Sequence, residues 1–293
     1  MDGAAESTQP GPQPETAALE DRPIGRILVD MGKLRPRDAD RVFLLSRERG
    51  LRFGEAARKL GLVRQEDIRQ ALSVQFDYPY LRAGQGMLAP ELIAAHHPFD
   101  AQAEAFRGLR TQLMLHWLGP ERKVLAVVST DPKDGRTFVA ANLAVAFAQL
   151  GEKTLLVDAD LRLPRLHRIF GHGNGPGLAQ ALLGRGGVKA AERLPYFDNL
   201  WLLSAGAAPP NPLELLIRPE LQRLLAEARQ QFTVVILDTS ALVRGTDATV
   251  GAARADGVLV VARRDRTRMA DLERLCRSVT ANGTPVAGTV LNQ

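Results

Sequence analysis

Residues 129–137 read S-T-D-P-K-D-G-R-T and bring a glycine, a cation and a hydroxyl together in the order used to hold phosphate. In the phosphate-loop pattern G-x-x-x-x-G-K-[ST], backbone N–H groups cradle the phosphates, the lysine reaches the β- and γ-phosphates and the hydroxyl takes Mg²⁺. Here Thr130 stands at the first glycine, Gly135 at the second, Arg136 at the lysine and Thr137 at the hydroxyl; Lys133, Asp134 and Phe138 complete the expected nucleotide-binding stretch. Two further places carry acids: Asp158 and Asp160 in D-A-D-L-R, and Asp238 in V-V-I-L-D-T-S. Carboxylates one residue apart are costly unless water or a cation screens them, and Mg²⁺ with its nucleotide phosphates supplies the cation. Arginine is an always-protonated planar fork where lysine is a point charge. Charge-assisted hydrogen bonds of ~1.5–3 kcal/mol each would still hold ADP or ATP. Turnover asks more, because donors must stand where charge develops in the transition state.

These residues need elements to position them. The run V-L-A-V-V-S at 124–129 is almost wholly apolar, as a buried parallel strand requires. Beyond the loop, Val139, Leu143, Ala146, Phe147 and Leu150 recur at helical spacing. The loop therefore lies between strand and helix; alone, it would equally suit a plain strand–turn–helix connection. Leu155–Val157 reads as a strand with Asp158 and Asp160 at its C-terminal edge, where ligands bind in open α/β sheets. Further apolar strands are V-V-I-L-D-T-S, N-L-W-L-L-S-A-G (199–206), G-V-L-V-V-A (257–262) and P-V-A-G-T-V-L-N (285–292). The alternation predicts an α/β class with a doubly wound, mostly parallel P-loop sheet over 119–293.

The chain has 293 residues, room for about two domains. Neither an apolar stretch of membrane-spanning length nor a signal-like N-terminus is present, so a cytoplasmic location is expected. The single cysteine, Cys276, reads as a packing residue. Residues 1–21 carry five acids and no base, with Pro, Gln, Ser and Gly throughout, and are expected to be a disordered tail. Residues 22–84 hold 14 Lys and Arg against 8 Asp and Glu. That field suits a phosphate-bearing ligand or an anionic membrane surface, or is simply a solvated basic face; no nucleic-acid partner is expected.

Residues 22–46 moved forward by 29 positions fall on residues 51–75, matching Gly25 to Gly54, Gly32 to Gly61, Leu34 to Val63, Asp38 to Asp67 and Phe43 to Leu72. This is an internal duplication, expected to form a small, mainly helical domain over 22–84. It resembles the MshEN-type N-terminal domain of type II secretion and pilus-assembly ATPases, some of which bind cyclic di-GMP. The second copy fits well, through Arg52, Phe53, Gly54, Gly61, Ile68, Leu72 and Gln75; the resemblance marks Arg52, Gly54 and Gln75 as the cyclic-dinucleotide residues. In the first copy Pro23 and Ser46 stand where the arginine and glutamine belong. The domain is thus assigned chiefly to docking, with weak or absent cyclic di-GMP binding. It closes with F-D-Y-P-Y-L (76–81), expected as a proline-fixed extended turn.

The loop, D-x-D-x-R and apolar-strand-D, in that order, are similar to the Walker A, A′ and B motifs of bacterial tyrosine kinases (BY-kinases). Before them Glu104, Arg107 and Arg110 spell E-x-x-R-x-x-R, the helix through which those kinases assemble, here expected within a linker and oligomerisation segment at 85–118. Spacing of three sets these charges on one helix face, with Phe106, Leu109 and Leu113 on another. A salt-bridged surface helix is the plainer reading of the same residues. Together with the duplicated domain, the set resembles the chain-length-determinant tyrosine kinases of EpsG type. That resemblance implies Mg²⁺ and ATP or ADP as cofactors, self-association, and a membrane chain-length-determinant partner. The kinase would regulate exopolysaccharide polymerisation and export while associated peripherally with the inner membrane. By the same resemblance Asp158 activates the tyrosine hydroxyl, Asp160 and Asp238 position the metal with Thr137, and Arg136 is a family feature. Ser240 replaces the usual proline after Asp238-Thr239. The tyrosine-rich tail of many BY-kinases has no counterpart here, leaving Tyr78, Tyr80 and Tyr196 as internal acceptors. Two other classes stay open: a nucleotide-dependent regulator without transferase activity, and a ParA/MinD-type ATPase, whose additional lysine would fall at Asp131.

Overall fold

A computed structural model describes residues 24–75 and 87–293, in two compact units divided after Tyr80. The F-D-Y-P-Y-L segment, with Tyr78 and Tyr80, lies outside the described residues.

The N-terminal unit contains helices α1 (Ile24–Asp30), α2 (Pro36–Arg49), α3 (Phe53–Lys59) and α4 (Gln65–Gln75). The sequence repeat is a repeat of helix pairs. Its aligned apolar positions Ile27 and Ala56, Leu28 and Ala57, Leu34 and Val63, and Val42 and Ala71 are all buried in one core. Both short helices end the same way. Gly32 and Gly61 each take φ +67°, and each donates its N–H over 2.9 Å to the residue three before it, Val29 and Arg58. Only glycine takes that left-handed position freely. The copies interlock: α1 packs on α4 and α2 on α3. Phe43 does not follow its aligned partner Leu72 inward. It is 53% exposed, with Arg47 5.4 Å over its ring.

The larger unit is built on seven strands: β1 (Val124–Val128), β2 (Thr154–Asp158), β3 (Glu192–Arg193), β4 (Leu200–Leu203), β5 (Val234–Asp238), β6 (Gly257–Arg263) and β7 (Val286–Asn292). Their order is β3-β4-β2-β5-β1-β6-β7, parallel except for β3 against β4. The expected doubly wound, mostly parallel sheet is what forms. The extra strand, β3, is two exposed charged residues with no apolar pattern to announce it. Alternation along β1 shows the double winding. Leu125 and Val127 join one core layer, with α7 (Arg136–Gln149), while Val124, Ala126 and Val128 join the other, with helices Pro219–Gln231, Asp247–Arg254 and Met269–Ala281. Cys276 packs at the edge of the second layer, as expected.

Helix α7 is apolar nearly all round because it is covered on both sides. Beneath it lies the sheet; over it lie α5 (Ile93–His96) and α6 (Ala101–His116). Its buried Asn142 accepts from Ala94 N–H at 2.8 Å and donates to the Glu91 carbonyl at 3.0 Å. Phe106, Leu113 and Trp117 belong to the same core. The described part of the expected linker and helix, residues 87–118, is therefore an integral layer of the sheet domain. No helix among the described residues is long and apolar enough to cross a membrane.

Candidate nucleotide site

Strand β1 ends at Val128, and the chain turns through Ser129–Gly135 into α7. Gly135 caps that helix at φ +105°, and a side chain there would place its Cβ 2.1 Å from Asn292 Nδ2. Two independent constraints thus require glycine at this point. Asn292, at the end of β7, donates to the Asp134 carbonyl at 2.9 Å. Asp134 turns its carboxylate back into the loop, where Oδ2 accepts from Asp131 N–H at 2.9 Å and lies 3.3 Å from the Thr130 hydroxyl. Lys133 is exposed, with φ +71°.

Arg136 differs from the sequence expectation in direction. Its guanidinium is buried at 7% exposure and is folded inward. Nε donates to the Thr239 carbonyl at 2.9 Å and Nη1 to the Asp131 carbonyl at 3.0 Å, with a further bond to Ser129 Oγ. The longer, forked side chain thereby ties the loop to the end of β5. The ring of Phe138 meets Phe106 of α6 edge-on at 5.5 Å, which leaves its backbone as the part available to a nucleotide.

Strand register brings the acids to this loop. Asp158 of β2 and Asp238 of β5 are direct partners across the parallel pair, and Asp238 is also opposite Val127 of β1. Both carboxylates are buried. Asp158 Oδ2 accepts from the N–H groups of Arg165 and Leu166, each at 3.0 Å, while Oδ1 has no partner among the described residues. Neither Asp238 oxygen has a hydrogen bond of good geometry there. Burial, then the charge of Asp238, raises the Asp158 carboxyl well above the usual carboxylate range. Asp238 is pushed up to about 7, again chiefly by burial; Arg136 and the nearby Thr137 hydroxyl oppose the shift.

Orphaned buried carboxylate oxygens beside a phosphate loop fit a hard divalent cation. No closed group of three His, Cys, Asp or Glu ligands forms among the described residues. Mg²⁺ needs none, since it is held by one or two carboxylates, waters and substrate phosphates. Asp160 is buried, with Oδ1 accepting from Leu163 N–H at 3.0 Å and Arg162 N–H at 3.3 Å. Arg162 turns away from these acids. It makes a two-pronged pair with Asp247, itself 3% exposed, and that bond raises the Arg162 pKa. An open cavity of about 470 Å³ lies alongside, lined by Leu161, Arg162, Leu163, Ala208, Pro209 and Pro210.

Asp247, Asn292 and Arg263 were not singled out in the sequence. A signal existed for Asp247, whose acid falls in line with the buried Ala248, Gly251 and Ala252 face of its helix and so needs a cation. Asn292 and Arg263 are ordinary strand ends, and only the sheet order brings them to the loop.

Other expected residues lie apart from this site. Within α6, Glu104 and Arg107 pair with each other, and Arg107 also reaches the Pro98 carbonyl. Arg110 turns onto α7, donating to the Ala146 carbonyl at 2.9 Å. The three charges therefore do not form one free stripe. Tyr196 precedes β4, at the sheet edge opposite the loop. In the N-terminal unit Arg52 is exposed at the start of α3 and Gln75 ends α4. Gly54 is buried, and a Cβ there would meet Ile68 Cγ2 at 3.1 Å, so helix packing accounts for a glycine at this position.

Comparison with known proteins covers the segment that holds this loop and these acids. Residues 125–293 match the CobQ/CobB/MinD/ParA nucleotide binding domain. The tyrosine-protein kinase YwqD of Bacillus subtilis is 32% identical over 213 residues, 72% of this chain and 90% of that protein. The chain belongs to the bacterial tyrosine kinases of this nucleotide-binding family. A further BY-kinase, tyrosine-protein kinase wzc of Salmonella typhimurium, is 33% identical over 202 residues. The match spans only 28% of its length. Among solved structures, the kinase domain of Escherichia coli tyrosine kinase ETK superposes with TM-score 0.67 at 30% identity, covering 72% of this chain and 84% of that one.

Proposed function

We propose that this chain is an ATP-dependent protein-tyrosine kinase component of exopolysaccharide synthesis, working with a membrane chain-length-determinant protein. The observation that carries the reading is the pairing of Asp158 with Asp238 across β2 and β5, beside Gly135, Arg136 and Thr137. In it, the loop N–H groups bind the nucleotide phosphates with Arg136 bracing the loop from inside, and Thr137, Asp238 and Asp160 would hold Mg²⁺, which would supply charge neutralisation at the transferred phosphoryl group. The acceptor tyrosine enters by the cavity beside Arg162. Asp158 takes the proton from its hydroxyl as the new O–P bond forms and the bond to ADP breaks. A raised carboxyl pKa suits that base. The duplicated N-terminal unit, MshEN-like by resemblance, serves as the docking module, with cyclic di-GMP binding weak or absent. Self-association runs through the α6 segment of Glu104, Arg107 and Arg110, and the membrane partner holds the protein peripherally at the inner membrane.

Transfer of labelled phosphate from ATP to tyrosine, measured with the partner's cytoplasmic segment present, tests this. Wild type should label tyrosine and Asp158→Asn should not. The inward hold on Arg136 favours one rival, a nucleotide-dependent regulator that binds and does not transfer. Tight Mg·ADP binding with no labelling would establish that rival instead.

A further inference from the structure

We propose that Arg263 is a positioning residue for the phosphate loop, holding Lys133 in a left-handed backbone conformation so that the loop N–H groups stay aimed at phosphate. This rests on the nucleotide-binding reading above. Among the described residues only Lys133 and Asp265 adopt positive φ without being glycine. Aspartate tolerates that region comparatively well; lysine gains nothing there, and its Cβ crowds its own carbonyl. Such a conformation persists only where the surroundings over-determine it.

The surroundings do so from two strands. Arg263, the last residue of β6, donates Nη1 to the Lys133 carbonyl at 2.9 Å. Its own N–H is fixed by Thr267 Oγ1 at 2.8 Å, so the arginine starts from a settled backbone. The next carbonyl along, that of Asp134, is held by Asn292 from β7. In a trans peptide the C=O and the following N–H point in opposite directions. Fastening the carbonyls of Lys133 and Asp134 from outside therefore turns the N–H groups of Asp134 and Gly135 the other way. Backbone N–H groups are the anion ligands of such loops. Arg263 is itself a cation near that site, so it could instead touch phosphate directly, and the two roles make different predictions.

A double-mutant cycle on the full chain separates them, read by calorimetric titration with Mg·ADP. Arg263→Ala should weaken binding about tenfold, and Arg263→Lys, which keeps a donor, should lose less than about threefold. Glycine adopts the left-handed region at no cost, so in a Lys133→Gly background the same Arg263→Ala change should cost less than about threefold. Circular dichroism and urea melts establish that each variant folds, with Arg263→Met repeating the cycle if the alanine variant does not. An equal loss in both backgrounds would show that Arg263 contacts the nucleotide and would overturn the positioning role. Wild-type affinity in Arg263→Ala would overturn it as well. Failure of the wild type to bind Mg·ADP would instead remove the nucleotide reading on which it stands.

Discussion

Asp238→Asn should shift the stability of the nucleotide-free protein in its favour relative to wild type as pH rises, while removing Mg²⁺-dependent nucleotide binding. The side chain is 1% exposed, and its carboxyl is raised from 3.8 to about 7. An acid whose folded pKa lies above its unfolded value binds protons more tightly when folded, so stability falls as pH rises from the unfolded pKa to the folded one. The window here is about pH 4 to 7. By linkage, the destabilisation from this one group grows by roughly 2–3 kcal/mol between pH 5 and pH 8. Asparagine has no such term. Its amide needs partners of its own and Arg136 loses an anion, which offsets the two unfolding curves, while loss of the Asp238 charge also eases the upward shift of Asp158 and so adds to the change in the same direction. The decisive quantity is therefore the change in the stability difference between variant and wild type, from urea unfolding at pH 5, 6, 7 and 8. It should move in favour of the asparagine variant as pH rises, and a constant difference across that range would refute the reasoning. Calorimetry at pH 8 should show Mg·ADP binding in wild type only.

Gly135→Ala puts a Cβ 2.1 Å from Asn292 Nδ2 on a backbone at φ +105°, so Mg·ADP titration should show no binding and urea unfolding a loss of about 1–3 kcal/mol. Asp247→Asn leaves Arg162 without its carboxylate. Because Arg162 is 39% exposed the loss should be modest, about 1–2 kcal/mol by urea unfolding. Gly25→Ala would bring a Cβ within 2.8 Å of Phe53 Cζ and should destabilise the N-terminal unit by about 1–3 kcal/mol. Hydrogen exchange should show that loss confined to residues 24–75, with Mg·ADP affinity unchanged.

What could be read from the sequence follows from where the information resides. The loop and its acids were legible because each sits at the end of a short apolar run, and a strand announces itself locally. The helical duplication was legible because buried positions recur with their glycines. The register of β2 against β5 was not, since nothing near Asp158 records that Asp238 will lie opposite. Nor was the inward turn of Arg136, which depends on the Thr239 carbonyl more than a hundred residues later. Residues 87–118 looked like a linker because α5 is a single turn and α6 carries exposed charge; their apolar partners lie on α7, which the sequence showed only as a helix with apolar residues at helical spacing.

The interlocked pairing in the N-terminal unit has a geometric consequence. Stacked repeats, in which each copy rests on the next, leave an open end and can be lengthened. Here the short helix of each copy is taken up by the long helix of the other, α1 by α4 and α3 by α2, an exchange related by approximate two-fold symmetry. Such an arrangement uses each short helix within the pair, so neither copy completes its own core alone. The duplication is in that sense a dimer written into one chain, and its two halves are free to diverge on their outer faces while remaining bound to each other's cores.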